Sequence, residues 1–494
     1  MSLSSKDLKV FNSISRKKES FISINREKVG MYVCGPTVYN TVHLGNCRTF
    51  ISFDIIYRYL IHLGYEVRYV RNITDVGHLE NEDGSGEDKI SKRAKIEKIE
   101  PMEVVQKYTN EFHSILDSFN LLKPNIEPTA TGHIIEQIEM IDKIIKNGYA
   151  YVKNGSVYFD LINFSKNYKY GQLSNRSFED IINESRSLKG SDEKKNPQDF
   201  ALWKKASKSH IMKWQSPWGV GFPGWHIECS AMGHKYLGEK FDIHGGGIDL
   251  KFPHHDCEIA QSKSVYGENP ANYWIHTNML TLNGKKMSKS LGNSVFPNEI
   301  FDGSSKIFSK SFSPMTLKFF MYQAHYRNIL DLSNDALISA EKGFKKLIKS
   351  YTLIESLPSN NKKSDFETKK WVEKCYQTMN DDFNTPVLIS TLFDCSKFIN
   401  SISDGTKNLN KDDKVLIENT FKVFLFDILG FTKEFDFLEK KSNNEDLIKI
   451  LIEIRNQARL NRDFDLSDQI RNQLLKIGIQ LNDNKDNSSY KLID

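Results

Sequence analysis

The chain has 494 residues, too many for a single hydrophobic core, so about two to four folded units are expected. Its 39% hydrophobic and 27% charged residues are ordinary for a soluble globular protein, and no apolar run approaches the ~18 residues of a membrane-crossing helix. A net charge of +5 permits a polyanionic partner without demanding one, and six cysteines in a chain with no apolar leader read as reduced cytoplasmic thiols, not a disulfide framework.

Residues 28–35 form a short apolar, β-rich run ended by Gly35 and Pro36, which predicts a buried strand entering a loop. The loop continues to Asn46, a helical pattern fills 48–63 until Gly64, and a second apolar strand covers 66–74. Strand, helix and strand in this order predict a βαβ unit, hence a parallel sheet with ligands beyond the carboxyl ends of its strands. Cys34, His43 and Thr74 fall at such ends. Residues 77–88 are acidic and glycine-punctuated and predict a mobile loop; 89–122 read as helix. An insertion is expected over about 120–200, with a hairpin at 149–160 and a polar, disorder-prone stretch at 183–198. The sheet pattern is expected to resume near Phe200 and to end near Lys286. Helical periodicity then runs from 317 to 429, with amphipathic stretches at 335–354 and 365–402. A charged linker is expected at 432–444, followed by helices at 445–459 and 466–476, a strand at 477–481 and a polar tail.

Between Gly224 and Ser262 the sequence concentrates metal-ligand chemistry. Cys229, His254 and Glu258 are three candidate ligands, and the last two are four apart, on one face if the run is helical. A four-coordinate zinc site built on them lacks a second thiolate, and Cys34 is the candidate to supply it. Read alone, Cys34 is equally a buried thiol at a strand end, the usual fate of a free cysteine. His255 and Cys257 are rival ligands; His255 is read as supporting the ligand set from behind and Cys257 as a packing residue. Two short motifs flank this region. His43-Leu-Gly-Asn46 opens the first long helix, where Gly45 lets a flat group approach the backbone and the helix start favours an anion. In isolation it reads as a turn before a cap. Lys286-Met-Ser-Lys-Ser290 puts two lysines three apart on a Gly/Ser-rich loop able to close on a polyphosphate, each charge worth roughly 4 kcal/mol at ~4 Å.

In this order, the two motifs resemble the HIGH and KMSKS signatures of the class I aminoacyl-tRNA synthetases. Within that class the sequence is similar to the cysteinyl-tRNA synthetase family, through residues 31–39, 69–75 and 216–230 and the metal-ligand region itself. The resemblance spans nearly the whole chain. It implies an α/β fold: a Rossmann-like parallel-sheet catalytic domain (1–310) with its insertion, a helical bundle domain (311–440), and a small C-terminal α/β anticodon-binding unit (441–494). It implies ATP-dependent ligation of L-cysteine to tRNA(Cys) through a cysteinyl-adenylate, by a monomer. One Zn2+ would be held by Cys34, Cys229, His254 and Glu258, with Mg2+ accompanying ATP. Gly35, Thr74, Trp225 and His244 would line the cysteine pocket, although Trp225 could equally be core. His43, Asn46, Lys286 and Lys289 would serve phosphoryl chemistry, and Gly45, Gly245, Gly246, Gly247 and Asp249 the nucleotide. Arg459, Phe464, Asp468 and Arg471 would contact tRNA; without the resemblance they read as surface residues of a helix pair. The sequence departs from the family at Asn46, at Asp256-Cys257 and at Phe464. Other readings are transfer of cysteine to a small amine, and an RNA-binding protein whose catalytic domain is inactive.

Overall fold

In the computed structural model, residues 7–76, 88–177, 194–208, 210–287, 292–432, 436–483 and 488–492 are described. Contacts divide the chain into two compact units, Met1–Phe431 and Thr432–Asp494.

The first unit is built on a four-stranded, all-parallel sheet in the order Ala271–Thr277, Phe241–Gly247, Lys28–Val33, Glu66–Arg71. All four strands are rich in buried residues, as expected where both faces are covered. The βαβ expectation holds: helix Leu44–His62 crosses between Lys28–Val33 and Glu66–Arg71. His43 caps it, its Nδ1 accepting from the Asn46 amide at 3.3 Å, while the Asn46 side chain accepts from the His43 N–H at 3.3 Å. Gly64, at φ +92, follows its end. The helix is apolar nearly all round because it lies between the sheet and the helical part of the unit. Contact with the sheet is so close that a Cβ on Gly245 would stand 2.1 Å from Phe53 Cζ.

Two polar knots fix this helix. Arg48, 1% exposed, donates only to main-chain carbonyls, those of Asn278, Met279, His325 and Asn328, at 2.5–3.3 Å. Deeper in, Asp54 accepts from Arg58 Nε at 2.8 Å, Lys318 Nζ at 3.3 Å and the Leu122 amide at 2.8 Å.

Several elements differ from expectation. Phe200–Lys205 does not return to the parallel sheet. It pairs antiparallel with Ser156–Phe159 and Gly221–Pro223 in a second four-stranded sheet that includes the expected hairpin, Ala150–Lys153 with Ser156–Phe159. The parallel sheet resumes only at Phe241. An unexpected hairpin, Lys9–Asn12 with Lys17–Ser20, precedes the first parallel strand. The 89–122 run is two helices, Lys89–Glu97 and Pro101–Ser118, separated at Lys98 (φ 58) and by Pro101. The 317–429 region contains a strand, Leu330–Leu332, paired with Leu280–Leu282. The 365–402 run is Thr368–Asn380 and Thr385–Ser403, broken where Asp382 (φ 64) and Phe383 (φ 54) turn left-handed. Asp382 is held there by Phe11 N–H, Tyr326 O–H and Arg327 Nε, at 2.7–2.8 Å. The expected loop at 77–88 lies outside the described residues except for Asp88, which caps Lys89–Glu97; of the 183–198 stretch only 194–198 is described.

In the second unit, helix Asp436–Leu460 runs through most of the expected linker, which has no glycine or proline after 436 to stop it. Helix Phe464–Lys476 follows. The expected strand is Ile479–Asp483, and the expected tail supplies its antiparallel partner, Ser488–Leu492. Ile448, Ile452, Leu474 and Ile479 form the core of this unit. Among the described residues no helix is long and apolar enough to cross a membrane.

Candidate active site and metal centre

Four elements bring the candidate ligands together at the carboxyl end of the parallel sheet. Cys34 directly follows strand Lys28–Val33, and its amide donates to the Gly245 carbonyl at 3.0 Å. Cys229 lies in the second turn of helix Trp225–Leu237. His254 opens helix His254–Tyr266, and Glu258 follows one turn later on the same face, 3.2 Å from His254 Nε2. The Cys34 and Cys229 sulfurs are 3.7 Å apart, and Cys34 Sγ is 3.7 Å from Glu258 Oε1. One donor atom from each of the four, all buried, lies within 4.8 Å of every other. Two sulfurs, an imidazole and a carboxylate suit zinc, and a convergence this tight of groups that repel when ionised suits a bound cation.

A second set, Cys34, His244, His255 and Glu258, meets the same limit, so the rivalry of His255 is real: its Nε2 is 3.3 Å from Cys34 Sγ. Cys257 instead turns to the Tyr170 hydroxyl at 3.4 Å, away from the cluster, as packing residues do. Histidines that sequence reasoning missed complete the floor. His226 meets His254 (Nδ1–Nδ1 2.9 Å), His276 meets His255 at 2.8 Å, and Ser13 of the N-terminal hairpin meets His276 at 2.8 Å. His244 Nε2 lies 2.8 Å from the other Glu258 oxygen. Singly these are ordinary buried histidines; only the fold assembles them.

The electrostatics follow from burial and proximity. The thiols of Cys34 and Cys229 share one proton: a hydrogen bond from Cys34, opposed by burial and assisted by His254, holds Cys229 down at about 6, below the ordinary 9.0. Burial and the neighbouring thiolate push Cys34 well up. Burial alone would raise Glu258, but His244 and His254 overcome it and hold the carboxyl at about 2. Burial opposes charge on His254 too, yet Cys229 and Glu258 bring it to about 10. Metal-free protein should therefore show a step in ultraviolet thiolate absorbance near pH 6 that Cys229→Ser lacks. Because this folded pKa is depressed, its stability contribution is complete above 9.0 and is lost as pH falls through about 6. A step only near pH 9 would contradict the shared proton.

Around the metal cluster, Gly35 donates its amide to Asn72 Oδ1 at 2.9 Å, and a Cβ there would stand 1.6 Å from the Asn72 carbonyl oxygen, so only glycine fits. Thr74 is buried beside them, and Trp225 is half-buried with its ring centroid 4.5 Å from that of His254. Asn72 is a further residue that sequence reasoning passed over, since a single asparagine after a strand carries no signal.

The two nucleotide-type motifs are neighbours. A Cβ on Gly45 would lie 3.6 Å from Met287 Cε, and the Leu44 amide donates to the Val295 carbonyl at 2.8 Å. Lys286 is exposed on a short hairpin, its carbonyl accepting from Asn293 Nδ2 at 3.0 Å; Lys289 lies outside the described residues. Asn46 is exposed at the helix start and uses its side-chain oxygen in the cap. Of the glycine triplet, Gly245 is required by Phe53; Gly246 faces Leu250 and His255, and Gly247 faces Asp249. Arg459, Phe464, Asp468 and Arg471 belong to the other unit. All four are exposed, Phe464 by 61%, and Arg471 stands 3.9 Å from Asp468.

Residues 20–342 match the family model described as tRNA synthetases class I (C) catalytic domain, and residues 374–433, in the helical region, match the DALR domain. The cysteine–tRNA ligase of Bacteroides fragilis is 51% identical over 487 residues, covering 98% of this chain and 99% of that one. That of Parabacteroides distasonis is 52% identical over 490 residues with the same coverage. Among solved structures, Mycobacterium tuberculosis methionyl-tRNA synthetase with methionyl-adenylate aligns over 81% of this chain and 89% of its own (TM-score 0.54, 12% identity), a likeness of fold. A putative arginyl-tRNA synthetase from Campylobacter jejuni aligns over 84% and 95% (TM-score 0.53, 12% identity). With near-complete coverage at half identity and a catalytic-domain match that contains every candidate ligand, the chain belongs to the cysteine–tRNA ligases of the class I, ATP-using synthetases.

Proposed function

We propose that this ligase selects its amino acid by sulfur, through one zinc ion held by Cys34, Cys229, His254 and Glu258, and activates it as cysteinyl-adenylate. The observation that carries the reading is the convergence of those four donors in a buried pocket beyond the sheet. Bound there, zinc would favour a substrate thiolate over a neutral hydroxyl, a preference that a hydrophobic slot, limited to ~1–3 kcal/mol between near-isosteres, cannot match. His244 and His255 would orient the ligand set from behind. Gly35, Thr74 and Trp225 would frame the rest of the amino acid.

The remaining chemistry is positioning and charge stabilisation. The cysteine carboxylate would attack the α-phosphate of ATP, displacing pyrophosphate, and the cysteinyl group would then pass to the terminal ribose of tRNA(Cys). His43, Lys286 and Lys289 would donate to the phosphates, with Mg2+ accompanying the nucleotide. Gly45, Gly246, Gly247 and Asp249 would contact ATP. Asn46, engaged in the cap, would contribute less. Arg459, Phe464, Asp468 and Arg471 would read tRNA bases by edge hydrogen bonds and stacking. The ligase would act as a cytoplasmic monomer, with boundaries near 310 and 440 separating catalysis, helical support and tRNA reading.

Pyrophosphate exchange with cysteine and with serine, measured beside tRNA charging and zinc content, tests the reading. Exchange that is equal for the two amino acids, or full activity in zinc-free protein, would sink it. Lys289→Ala should slow adenylate formation by about 10²–10³-fold, the usual cost of one lost transition-state donor. Its cysteine affinity should change little; the reverse pattern in stopped-flow and equilibrium binding would remove Lys289 from the phosphate site.

A further inference from the structure

Ser13 lies in the turn of the N-terminal hairpin, before residue 20 where the catalytic-domain match begins, and is 2% exposed. From it a line of buried contacts runs to the metal cluster. Ser13 Oγ is 2.8 Å from His276 Nδ1, His276 Nε2 is 2.8 Å from His255 Nδ1, and His255 Nε2 is 3.3 Å from Cys34 Sγ. Counting protons along it gives the line a direction. The Ser13 hydroxyl has no other hydrogen-bond partner among the described residues, and a buried donor left unpaired is costly, so its proton goes to His276 Nδ1. An imidazole that accepts at Nδ1 carries its proton at Nε2, so His276 donates to His255 Nδ1. By the same count His255 donates from Nε2 to Cys34. The opposite polarity would put a lone pair on His255 Nε2, free to bind a metal, and would leave the Ser13 proton without an acceptor.

We propose that Ser13 is a positioning residue of the metal centre: its hydroxyl proton polarises a one-way line of hydrogen bonds through His276 and His255 that ends as an N–H on Cys34 Sγ. The inference rests on the reading above that Cys34 is a zinc ligand. It goes beyond that ligand set, because it decides the competition between Cys34 and His255. The sulfur gains a donor that orients it toward the metal, and His255 has no lone pair at Nε2 to offer in its place.

The test is zinc affinity of the full chain, by competition with a chelator, in Ser13→Thr and Ser13→Val, which share a shape and differ in the hydroxyl. The Val variant should bind zinc about 10- to 100-fold more weakly than the Thr variant, the usual cost of losing a hydrogen-bond partner behind a ligand. The hairpin should stay docked in both. The main-chain amide of residue 13 donates to the Trp274 carbonyl at 2.9 Å, and the Asn12 side chain holds the Trp274 amide at 3.1 Å and the Asn272 carbonyl at 2.8 Å. Ser13→Ala against wild type repeats the comparison if the extra methyl group prevents folding. Nitrogen-15 NMR of the histidine rings in zinc-loaded wild-type protein should show His255 and His276 each protonated at Nε2 alone. Equal zinc affinity with and without the hydroxyl, or a proton on Nδ1 of His276, overturns the role of Ser13 and leaves the zinc site standing. Wild-type protein that holds no zinc overturns the ligand reading and this inference with it.

Discussion

Cys229→Ser is expected to yield a folded chain that retains little zinc and loses cysteine-dependent pyrophosphate exchange by at least about two to three orders of magnitude. The apparent binding energy of a structural zinc, ~10–16 kcal/mol over four ligands, assigns roughly 2.5–4 kcal/mol to each, which converts to that factor in affinity. Serine keeps the volume and replaces a thiolate with a neutral, hard oxygen whose proton the site cannot remove. The fold should survive because the helix is anchored independently by Ile227, Ala231 and Met232, all buried. Zinc content by plasma mass spectrometry and exchange rates measured together check this. A variant with a full complement of zinc and normal exchange would rule out Cys229 as a ligand.

Asp54→Ala is expected to cost about 3–5 kcal/mol of stability, because it leaves two buried cations without their anion. Lys318 is 0% exposed, and Asp54 is the carboxylate of its ion pair, at 3.3 Å; its other bonds go to the Phe119 and Gly430 carbonyls, each 2.9 Å away, and to the Asn120 carbonyl at 3.5 Å. Burial, with Arg58 adding repulsion, pushes Lys318 down from 10.5 to about 8 even with Asp54 present. The sign of the pH effect follows. Between pH 8 and 10.5 the unfolded chain holds more protons on this lysine than the folded one, so its contribution to stability rises with pH across that window. Without Asp54 the fall in pKa should be larger and the rise should begin at lower pH. Urea titrations at several pH values measure both effects; a loss below about 1 kcal/mol would mean that water or a shifted carbonyl replaces the carboxylate.

Much of the catalytic architecture was legible because its signals are local. Alternating glycine and apolar runs mark the strands before Cys34 and Thr74, and four-residue spacing puts His254 and Glu258 on one helix face. What escaped is set by distant partners. Phe200–Lys205 has the composition of a parallel-sheet strand, and only its pairing with Ser156–Phe159 assigns it elsewhere. The break at Asp382 and Phe383 contains neither glycine nor proline; its left-handed backbone is held by bonds from residues 11, 326 and 327. His226, His276, Ser13 and Asn72 are unremarkable one at a time. Their roles come from a neighbour tens to hundreds of residues away.

The joint at Arg48 divides mutational freedom unevenly. One side of it is a single guanidinium; the other is four peptide oxygens, which every amino acid possesses. Positions 278, 279, 325 and 328 can therefore change identity without loosening the helix that begins at His43, provided the backbone keeps its path. Arg48 has no substitute, since no other side chain fans donors toward four acceptors at once.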